Sequence, residues 1–229
     1  MARLTRRGVL VGLGLAGTGI GCGMNPFLAI PLALSGGKAK NQAEFELAVH
    51  PKKSDAKVVV IVSAKMGLPP DLAGVDRMLN AELIRILDVK VKENEEKVQI
   101  LKMPKIDEYK SQNPNWKATH PCEAGKALAE GTDYVIDVEI TEMDLYKPGS
   151  RGQWLLGHAS VSVNAYDLSK AVRDPQYKQD FVIQYPQSEQ EVESRAQVSA
   201  FRMKFVERIA SNIAVKFTAS AVQRRDQMD

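Results

Sequence analysis

Residues 58–62 read Val58-Val59-Val60-Ile61-Val62, and this run decides the fold. β-Branched residues favour strands. An apolar run without polar alternation is typical of a strand that is covered on both faces. Such a strand lies in the interior of a sheet rather than at its edge. We therefore expect this run to form a central strand.

The residues that follow predict the elements that flank this strand. Apolar side chains recur at spacings of three and four from Val75 to Leu87, which predicts an amphipathic helix with one buried stripe. Asp88 to Glu96 is acidic and lysine-rich, and predicts a solvated turn or a short hairpin. Val98 to Met103 predicts a second strand, and a short helix is expected to start at Ile106.

The middle of the chain predicts a helix and then antiparallel strands. Pro121 favours the first turn of a helix, and Gly131 favours its end. From Tyr134 onward, apolar and polar residues alternate as in a half-exposed strand, and the phase flips at Glu142. A flip of this kind predicts a β-bulge or a sharp twist. A turn is expected at residues 147–152.

Two further strands and a long helix complete the sequence pattern. The alternation from Leu155 to Ala165 predicts a strand that has its apolar residues inside. Phe181 to Tyr185 predicts a shorter strand closed by Pro186, and we expect it at the edge of the sheet. An apolar stripe from about Glu191 to Ala221 predicts a long helix packed on the sheet.

The order of these elements predicts the fold class. Strand, helix, strand, helix, three antiparallel strands and a last helix are typical of an α/β or α+β fold. We expect a two-layer sandwich with a mixed sheet of about five strands, in which helices connect the early strands and a meander follows.

The start of the chain has the layout of a secretory signal. Arg3, Arg6 and Arg7 form a charged segment, a Gly/Leu/Val/Ala run follows, and small residues precede Cys22. Residues 5–10 resemble a twin-arginine export signal that contains Arg6 and Arg7. General secretory export, with an arginine pair that occurs by chance, is the alternative.

A cysteine ends this leader in the setting of a lipid-attachment site. Gly19-Ile20-Gly21-Cys22 resembles a bacterial lipobox, so we expect Cys22 to receive a lipid. Two alternatives stay open, a signal peptide with an incidental cysteine and an uncleaved anchor. A spanning helix needs ~20 consecutive apolar residues, whereas the stretch from Gly8 to Leu34 is interrupted by Pro26 and Pro31.

Composition and charge are those of an ordinary globular domain. Hydrophobic residues make up 44% and charged residues 26% of the chain. The formal charge of +3 resides in the arginines of the leader, so cleavage before Cys22 leaves a neutral chain. A neutral chain has no overall field that attracts nucleic acid, and we expect no nucleic-acid partner.

The predicted organisation has four parts. We expect a signal peptide over residues 1–21, a lipidated tether over 22–56, an α/β domain over 57–221 and a polar tail over 222–229. A Gly/Ser/Lys break at residues 35–38 is typical of a flexible link and supports the second part.

A family resemblance rests on the segment Gly125-Lys126-Ala127-Leu128-Ala129-Glu130-Gly131-Thr132-Asp133-Tyr134-Val135-Ile136. It resembles a recurring segment of bacterial envelope lipoproteins, in which a helix ends at a glycine and leads into a strand. The order of elements over 58–217 is similar to that of the curli secretion-channel lipoproteins, the ABC-transport auxiliary lipoproteins and the amino-terminal domain of the Tol system's periplasmic protein.

The resemblance implies a location and a mode of action. It implies a lipoprotein anchored through its lipid in the outer membrane and facing the periplasm. It also implies that the protein assembles with partners, as a homo-oligomer or within an envelope transport or assembly complex. The turn at 147–152 is too short for the membrane-crossing hairpins of the channel-forming members, so we expect no pore.

The sequence contains no familiar catalytic or metal-binding motif. His50, His120 and His158 lack ligand spacing, so we expect no metal and no cofactor. Asp137 and Glu139 share one face of a strand, where an acid–base pair or a cation is conceivable, although a solvated strand face explains them too. We expect no enzyme; a periplasmic hydrolase or a cation-binding protein that uses Asp137 and Glu139 is the alternative.

Four residues are candidates for partner binding. Trp116 and Trp154 each lie beside polar turn residues, and their loops could meet at one end of the sheet. Phe181 and Ile183 lie on the expected edge strand, where unpaired backbone groups offer a docking site.

Overall fold

The computed structural model describes residues 40–51, 53–65, 68–170 and 172–221. Strands and helices alternate at first, three long strands follow, and a long helix comes near the end. In chain order the elements are β1 (Lys40–Asn41), β2 (Ala56–Ala64), α1 (Val75–Glu93), β3 (Val98–Ile100), α2 (Met103–Gln112), α3 (Pro121–Leu128), β4 (Tyr134–Tyr146), β5 (Trp154–Asp167), β6 (Tyr177–Glu191), α4 (Arg195–Ala214) and β7 (Ser220–Ala221).

Five of these strands form one mixed sheet in the order β3-β2-β4-β5-β6. β2 runs parallel to both of its neighbours, β3 and β4, whereas β5 is antiparallel to β4 and β6 is antiparallel to β5. The predicted α+β class and the five-stranded mixed sheet are confirmed. The apolar run at 58–62 lies in β2, an interior strand as its composition requires.

The main core lies on the face of the sheet that α1 and α4 cover. Phe205, Ile209 and Ile213 of α4 are fully buried there, and so is Phe217 just beyond the helix. The predicted packing of this stripe against the sheet is confirmed. Burial of large apolar side chains at about 1.5–3 kcal/mol each makes this layer the chief stabilising contact of the fold.

A smaller apolar cluster lies on the opposite face. Val59 and Ile61 of β2 contact it together with Val135 of β4, Tyr166 of β5 and Ala124 of α3. α2, α3 and the loop between them therefore cover the parallel end of the sheet. This second cover explains why β2 is apolar on both faces.

Helices α1, α2 and α4 have other limits than the sequence predicted. The helix expected to start at Ile106 is α2, which begins at Met103, so the second strand, expected over Val98–Met103, ends at Ile100. Asp88 to Glu96 was expected as a turn, but α1 continues through it to Glu93. Val91 is buried and extends the apolar stripe by one turn, while Lys92 pairs with Asp88 at i,i+4. α4 is shorter than expected and begins after Ser194, whose hydroxyl accepts a hydrogen bond from the Gln197 amide.

The last long strand also differs from the prediction. A short strand closed by Pro186 was expected, but β6 continues to Glu191. The register against β5 shifts between Leu155 and Gly157, and beyond the shift Gln190 and Glu191 pair with the start of β5. The edge position is confirmed, since β6 is the last strand of the sheet.

The predicted bulge is confirmed at its expected place. The register between β4 and β5 shifts between Ile140 and Glu142. Met143 and Leu145 are buried after the shift, so the bulge keeps the apolar residues on the core side.

Residues shortly before β2 pack against this domain. Leu47 is buried, the ring of Phe45 meets that of Tyr134 edge-on at 5.9 Å, and the Tyr134 hydroxyl donates to the Ala48 carbonyl. These residues fall in the predicted tether, of which residues 22–39 lie outside the described part. The predicted signal peptide over 1–21 and the tail over 222–229 lie outside it as well.

Candidate functional site

The face of the sheet opposite α1 and α4 changes from apolar to polar along the strands. Its apolar end carries the small cluster around Tyr166. Two residues further along β4 than Val135, Asp137 lies opposite Ile61 of β2 and opposite Asn164 of β5. The next step places Glu139 between Ser63 and Ser162.

A pocket of about 270 Å³ lies at this boundary. Its floor is formed by strand residues, and its walls come from the loop between α2 and α3 and from the start of α3. The pocket is lined by Ile61, Ser63, Trp116, Lys117, Thr119, His120, Pro121, Ala124, Asp137, Glu139 and Tyr166. The structure thus brings together three residues that the sequence singled out: Trp116, Asp137 and Glu139.

Asp137 has an unusual environment for a carboxyl group. Its pKa is raised to about 6, chiefly by burial and to a smaller extent by the nearby charge of Glu139. A hydrogen bond with Asn164 acts in the opposite direction and is outweighed. Asp137 can therefore exchange a proton near neutral pH, while Glu139 beside it is exposed to solvent.

Trp116 is held by two lysine side chains. The Lys110 ammonium lies 4.2 Å from the centre of the indole ring and that of Lys117 lies 5.8 Å from it. Lys110 also donates to the Val62 carbonyl, and Lys117 to the Ala64 carbonyl. Both carbonyls belong to the part of β2 that extends past β3, so the lysines cover a backbone edge of the sheet.

This contact gives Trp116 a structural role beside any binding role. Burial lowers the pKa of Lys110, as expected for an ammonium placed between an indole ring and a strand. The indole shields the Lys110 ammonium from water, and both lysines bond to the edge of β2.

The sequence did not single out His120 and Tyr166 as members of this pocket. The His120 side chain accepts a hydrogen bond from the Cys122 amide and caps α3, and its ring meets that of Tyr166 at 5.6 Å. Burial raises the pKa of Tyr166 to about 12, so its hydroxyl stays protonated. The alternation of β5 could have placed Tyr166 on the same face as Asn164, but the loop contact has no local signal.

Trp154 is not part of this pocket. It begins β5, opposite Glu191 of β6, and its side chain is 36% exposed. Asn164, the β5 neighbour of Asp137, lies ten residues further along the strand. The two tryptophan loops therefore do not form one site.

Phe181 and Ile183 lie on the outermost strand, as predicted, but both side chains point to the core side. Ile183 is buried and Phe181 is partly buried, with the Lys216 ammonium 5.9 Å from its ring centre. Val182 between them points to the other face and is 73% exposed. The exposed features of this strand are thus Val182, its charged neighbours and the strand's outer backbone edge.

A buried polar cluster joins the residues before β2 to the sheet. Lys53 lies 2.6 Å from an Asp133 carboxylate oxygen, and Asp133 also accepts from the Lys57 amide. His50 Nε2 lies 3.7 Å from Asp133 and 3.6 Å from Asp167. Burial opposes ionisation of Asp167, but hydrogen bonds from Ser169 outweigh it and its pKa is lowered.

The described residues hold no cluster of three or more His, Cys, Asp or Glu side chains suited to a metal ion. Cys122 is a free, partly buried thiol, and burial raises its pKa. None of the helices in the described ranges has both the length and the apolar character needed to cross a bilayer. The predicted lipid site Cys22 and the export residues Arg6 and Arg7 lie outside the described residues.

Comparison of sequences gives no match: neither a family model nor a curated protein matches this chain. Comparison of structures gives distant neighbours. The chain is similar to a lipoprotein from Neisseria meningitidis, with 13% identity, 68% of this chain and 99% of the other covered, and a TM-score of 0.41.

Two other neighbours are comparably distant. A PelC dodecamer from Paraburkholderia phytofirmans has 16% identity, 72% and 91% coverage, and a TM-score of 0.35. A minor lipoprotein from Acinetobacter baumannii has 11% identity, 73% and 96% coverage, and a TM-score of 0.36.

Proposed function

We propose that the protein is an exported bacterial lipoprotein, anchored at Cys22, that acts as a non-enzymatic binding module of the cell envelope. The leader with Arg6 and Arg7 supports export, and the lipobox-like Gly19–Cys22 supports the anchor. Gly23 stands where an aspartate usually retains lipoproteins at the inner membrane. This favours the outer membrane, with the domain facing the periplasm.

The observation that carries the binding role is the outer edge of β6, with which no strand in the described part of the chain pairs. The other edge of the sheet is a three-residue strand, and lysines cover the part of β2 beyond it. β6 instead is fifteen residues long and exposes Val182. A long edge strand with an exposed apolar side chain offers backbone hydrogen bonds to an added strand.

Site-specific photo-crosslinking in intact cells tests this role. A photoreactive residue at Val182 is expected to give discrete crosslinked products. The matched control is Val89 on α1, which is also exposed, at 42%, but lies in a helix. Equal products at both positions, or none at Val182, would refute the docking role of the edge.

The anchor is tested separately. Cys22→Ser is expected to release the protein from the membrane fraction, and Cys122→Ser is the control. Intact-mass analysis of the wild-type protein should give a chain that starts at a lipidated Cys22. Multiple acylation anchors stably, whereas a single chain binds only marginally. A mature chain that starts at Met1 would refute the lipid anchor.

The pocket supports a second candidate, a hydrolase or a cation-binding protein that uses Asp137 and Glu139. The observation in its favour is the pKa of about 6 at Asp137, beside the carboxyl group of Glu139. The double substitution Asp137→Asn and Glu139→Gln tests it by growth under envelope stress. Full retention of growth removes this candidate and leaves the binding module.

A further inference from the structure

The outer edge of β6 presents a defined set of backbone groups. The Leu168 amide donates to the Asp133 carbonyl, so even-numbered residues of β5 bond to β4. Hydrogen-bonded pairs alternate along antiparallel strands, so between Tyr177 and Tyr185 the odd-numbered residues of β6 bond to the odd-numbered residues of β5. The amide and carbonyl groups of Lys178, Asp180 and Val182 therefore point away from the sheet.

Two of these three residues carry opposite charges. Lys178 and Asp180 are both exposed, and they share the sheet face that carries Asn164 and Ser162, their β5 neighbours. Neither makes an ion pair with any residue in the described ranges. The strand thus carries a positive and a negative side chain two residues apart, both without an ionic partner there.

This spacing is self-complementary. When two copies of β6 run antiparallel with Gln179 opposite its symmetry mate, Lys178 lies opposite Asp180 of the other copy, twice over. The outward backbone groups of these residues then form hydrogen-bonded pairs. In the same register Tyr177 lies opposite Phe181, which pairs aromatic side chains on the core face. A single register therefore pairs the outward backbone groups, the opposite charges and the aromatic rings of the two strands.

We propose that the β6 edge binds the β6 edge of a second copy of this chain, in the antiparallel register centred on Gln179. The proposal rests on the proposed docking role of β6 and names its partner. Pairing of this kind makes one continuous sheet across a two-fold axis, and each copy contributes the same surface.

Charged residues on edge strands more often prevent such pairing. A row of lysines would do so in every register, because like charges then face each other. Here the two signs alternate, so the register centred on Gln179 is attractive and the edge selects it. A protective role for Lys178 predicts that its replacement increases self-association, which is the opposite of our expectation.

Charge reversal separates the two roles. Lys178→Asp or Asp180→Lys alone places like charges opposite each other twice in the dimer. Each single variant is expected to weaken self-association at least about tenfold, because two attractive cross-strand pairs are lost and two repulsive pairs take their place. The double variant Lys178→Asp with Asp180→Lys restores both pairs and is expected to return to within about threefold of wild type.

The measurement uses the full-length protein, extracted from membranes in detergent, with sedimentation equilibrium as the readout. Lys204→Asp on α4 is the control for a change of charge alone, and thermal unfolding verifies that every variant folds. A monomeric wild type, or single variants that associate as strongly as wild type, overturns the proposal. Failure of the double variant to recover overturns the register.

The outcome of the crosslinking at Val182 separates this proposal from the docking role itself. Crosslinks to the same chain support both. Crosslinks to a different protein, together with a wild type that is monomeric in solution, leave the docking role and overturn pairing between copies. Absence of crosslinks at Val182 overturns both.

Discussion

Gly157 of β5 lies directly under the ring of Phe205 of α4. A Cβ atom at position 157 would stand 2.8 Å from two ring carbons of Phe205, closer than real Cβ contacts come. The absence of a side chain there lets α4 lie close to the sheet. Gly157 is also the point at which the register between β5 and β6 shifts.

Gly157→Ala is therefore expected to lower the free energy of unfolding by about 1–3 kcal/mol, as overpacking of a core does. Urea titration of the purified protein measures the change. Adding Phe205→Leu removes the ring edge, so the double variant should lose less than the sum of the two single variants. Additive losses would mean that the cost of Gly157→Ala does not come from contact with the Phe205 ring.

Asn80 offers a prediction of the opposite sign. It is fully buried on α1, and neither its amide nitrogen nor its oxygen has a hydrogen-bond partner in the described residues. Asn80→Leu keeps a similar shape and removes two unpaired polar atoms, so stability should rise by about 1–3 kcal/mol. A fall in the urea midpoint would show that the amide is bonded in solution.

The ionisation of Asp137 makes stability depend on pH. Its pKa is raised from 3.8 to about 6 by burial, so folding opposes its ionisation. The resulting loss of folding stability is absent below pH 3.8, where Asp137 is protonated in both states, and is complete above about pH 6. Asp137→Asn should stabilise the protein at pH 7.5 by about 1–2 kcal/mol, a figure reduced because the side chain keeps some contact with water.

The same variant should give no gain near pH 4. Asp144→Asn, an exposed position on the same strand, is the control and should not change the pH profile. Thermal unfolding at several pH values between 4 and 8 measures both. A gain for Asp137→Asn that does not vary with pH would contradict the role of ionisation.

The buried cluster before β2 provides a fourth prediction. Asp133→Ala leaves the Lys57 amide without its acceptor and removes the carboxylate partner of Lys53, whose ammonium keeps only the Gly131 carbonyl. The expected cost is about 2–4 kcal/mol in the free energy of unfolding, because the site is nearly closed to solvent. Glu82→Ala breaks an exposed pair with Arg85 and should cost far less than half of that. Equal losses would show that Asp133 is not a structural anchor.

Those features of the fold that depend on which residues of a single strand or helix are buried could be predicted from the local sequence pattern. The apolar run at 58–62 predicted an interior strand, and the phase flip at Glu142 predicted the bulge. The limits of elements were harder to predict. α1 extends beyond Leu87 because the exposed face of a helix tolerates charged residues, and Val91 on its buried face indicates the continuation.

Pro186 shows a second physical reason for a wrong limit. A proline usually ends a strand because it lacks an amide hydrogen. On the outermost strand that hydrogen has no neighbour to bond, so β6 continues to Glu191.

For the pocket, alternation predicted that Asp137 and Glu139 share a face. Their meeting with Trp116 depends on how a loop folds over the sheet, and no local pattern encodes that contact.

The two-stranded pair of β1 and β7 has a mechanical consequence. Lys40 pairs with Ala221 and Asn41 with Ser220, so the chain enters and leaves the domain side by side. A force applied through the amino-terminal segment would load this two-residue pair first, then the packed residues around Phe45 and Leu47, and only after them the five-stranded sheet. The pair can thus separate while the five-stranded sheet stays intact. A tag joined after Ala221 would lie beside Lys40, whereas one inserted at 147–152 would lie at the turn of the β4–β5 hairpin.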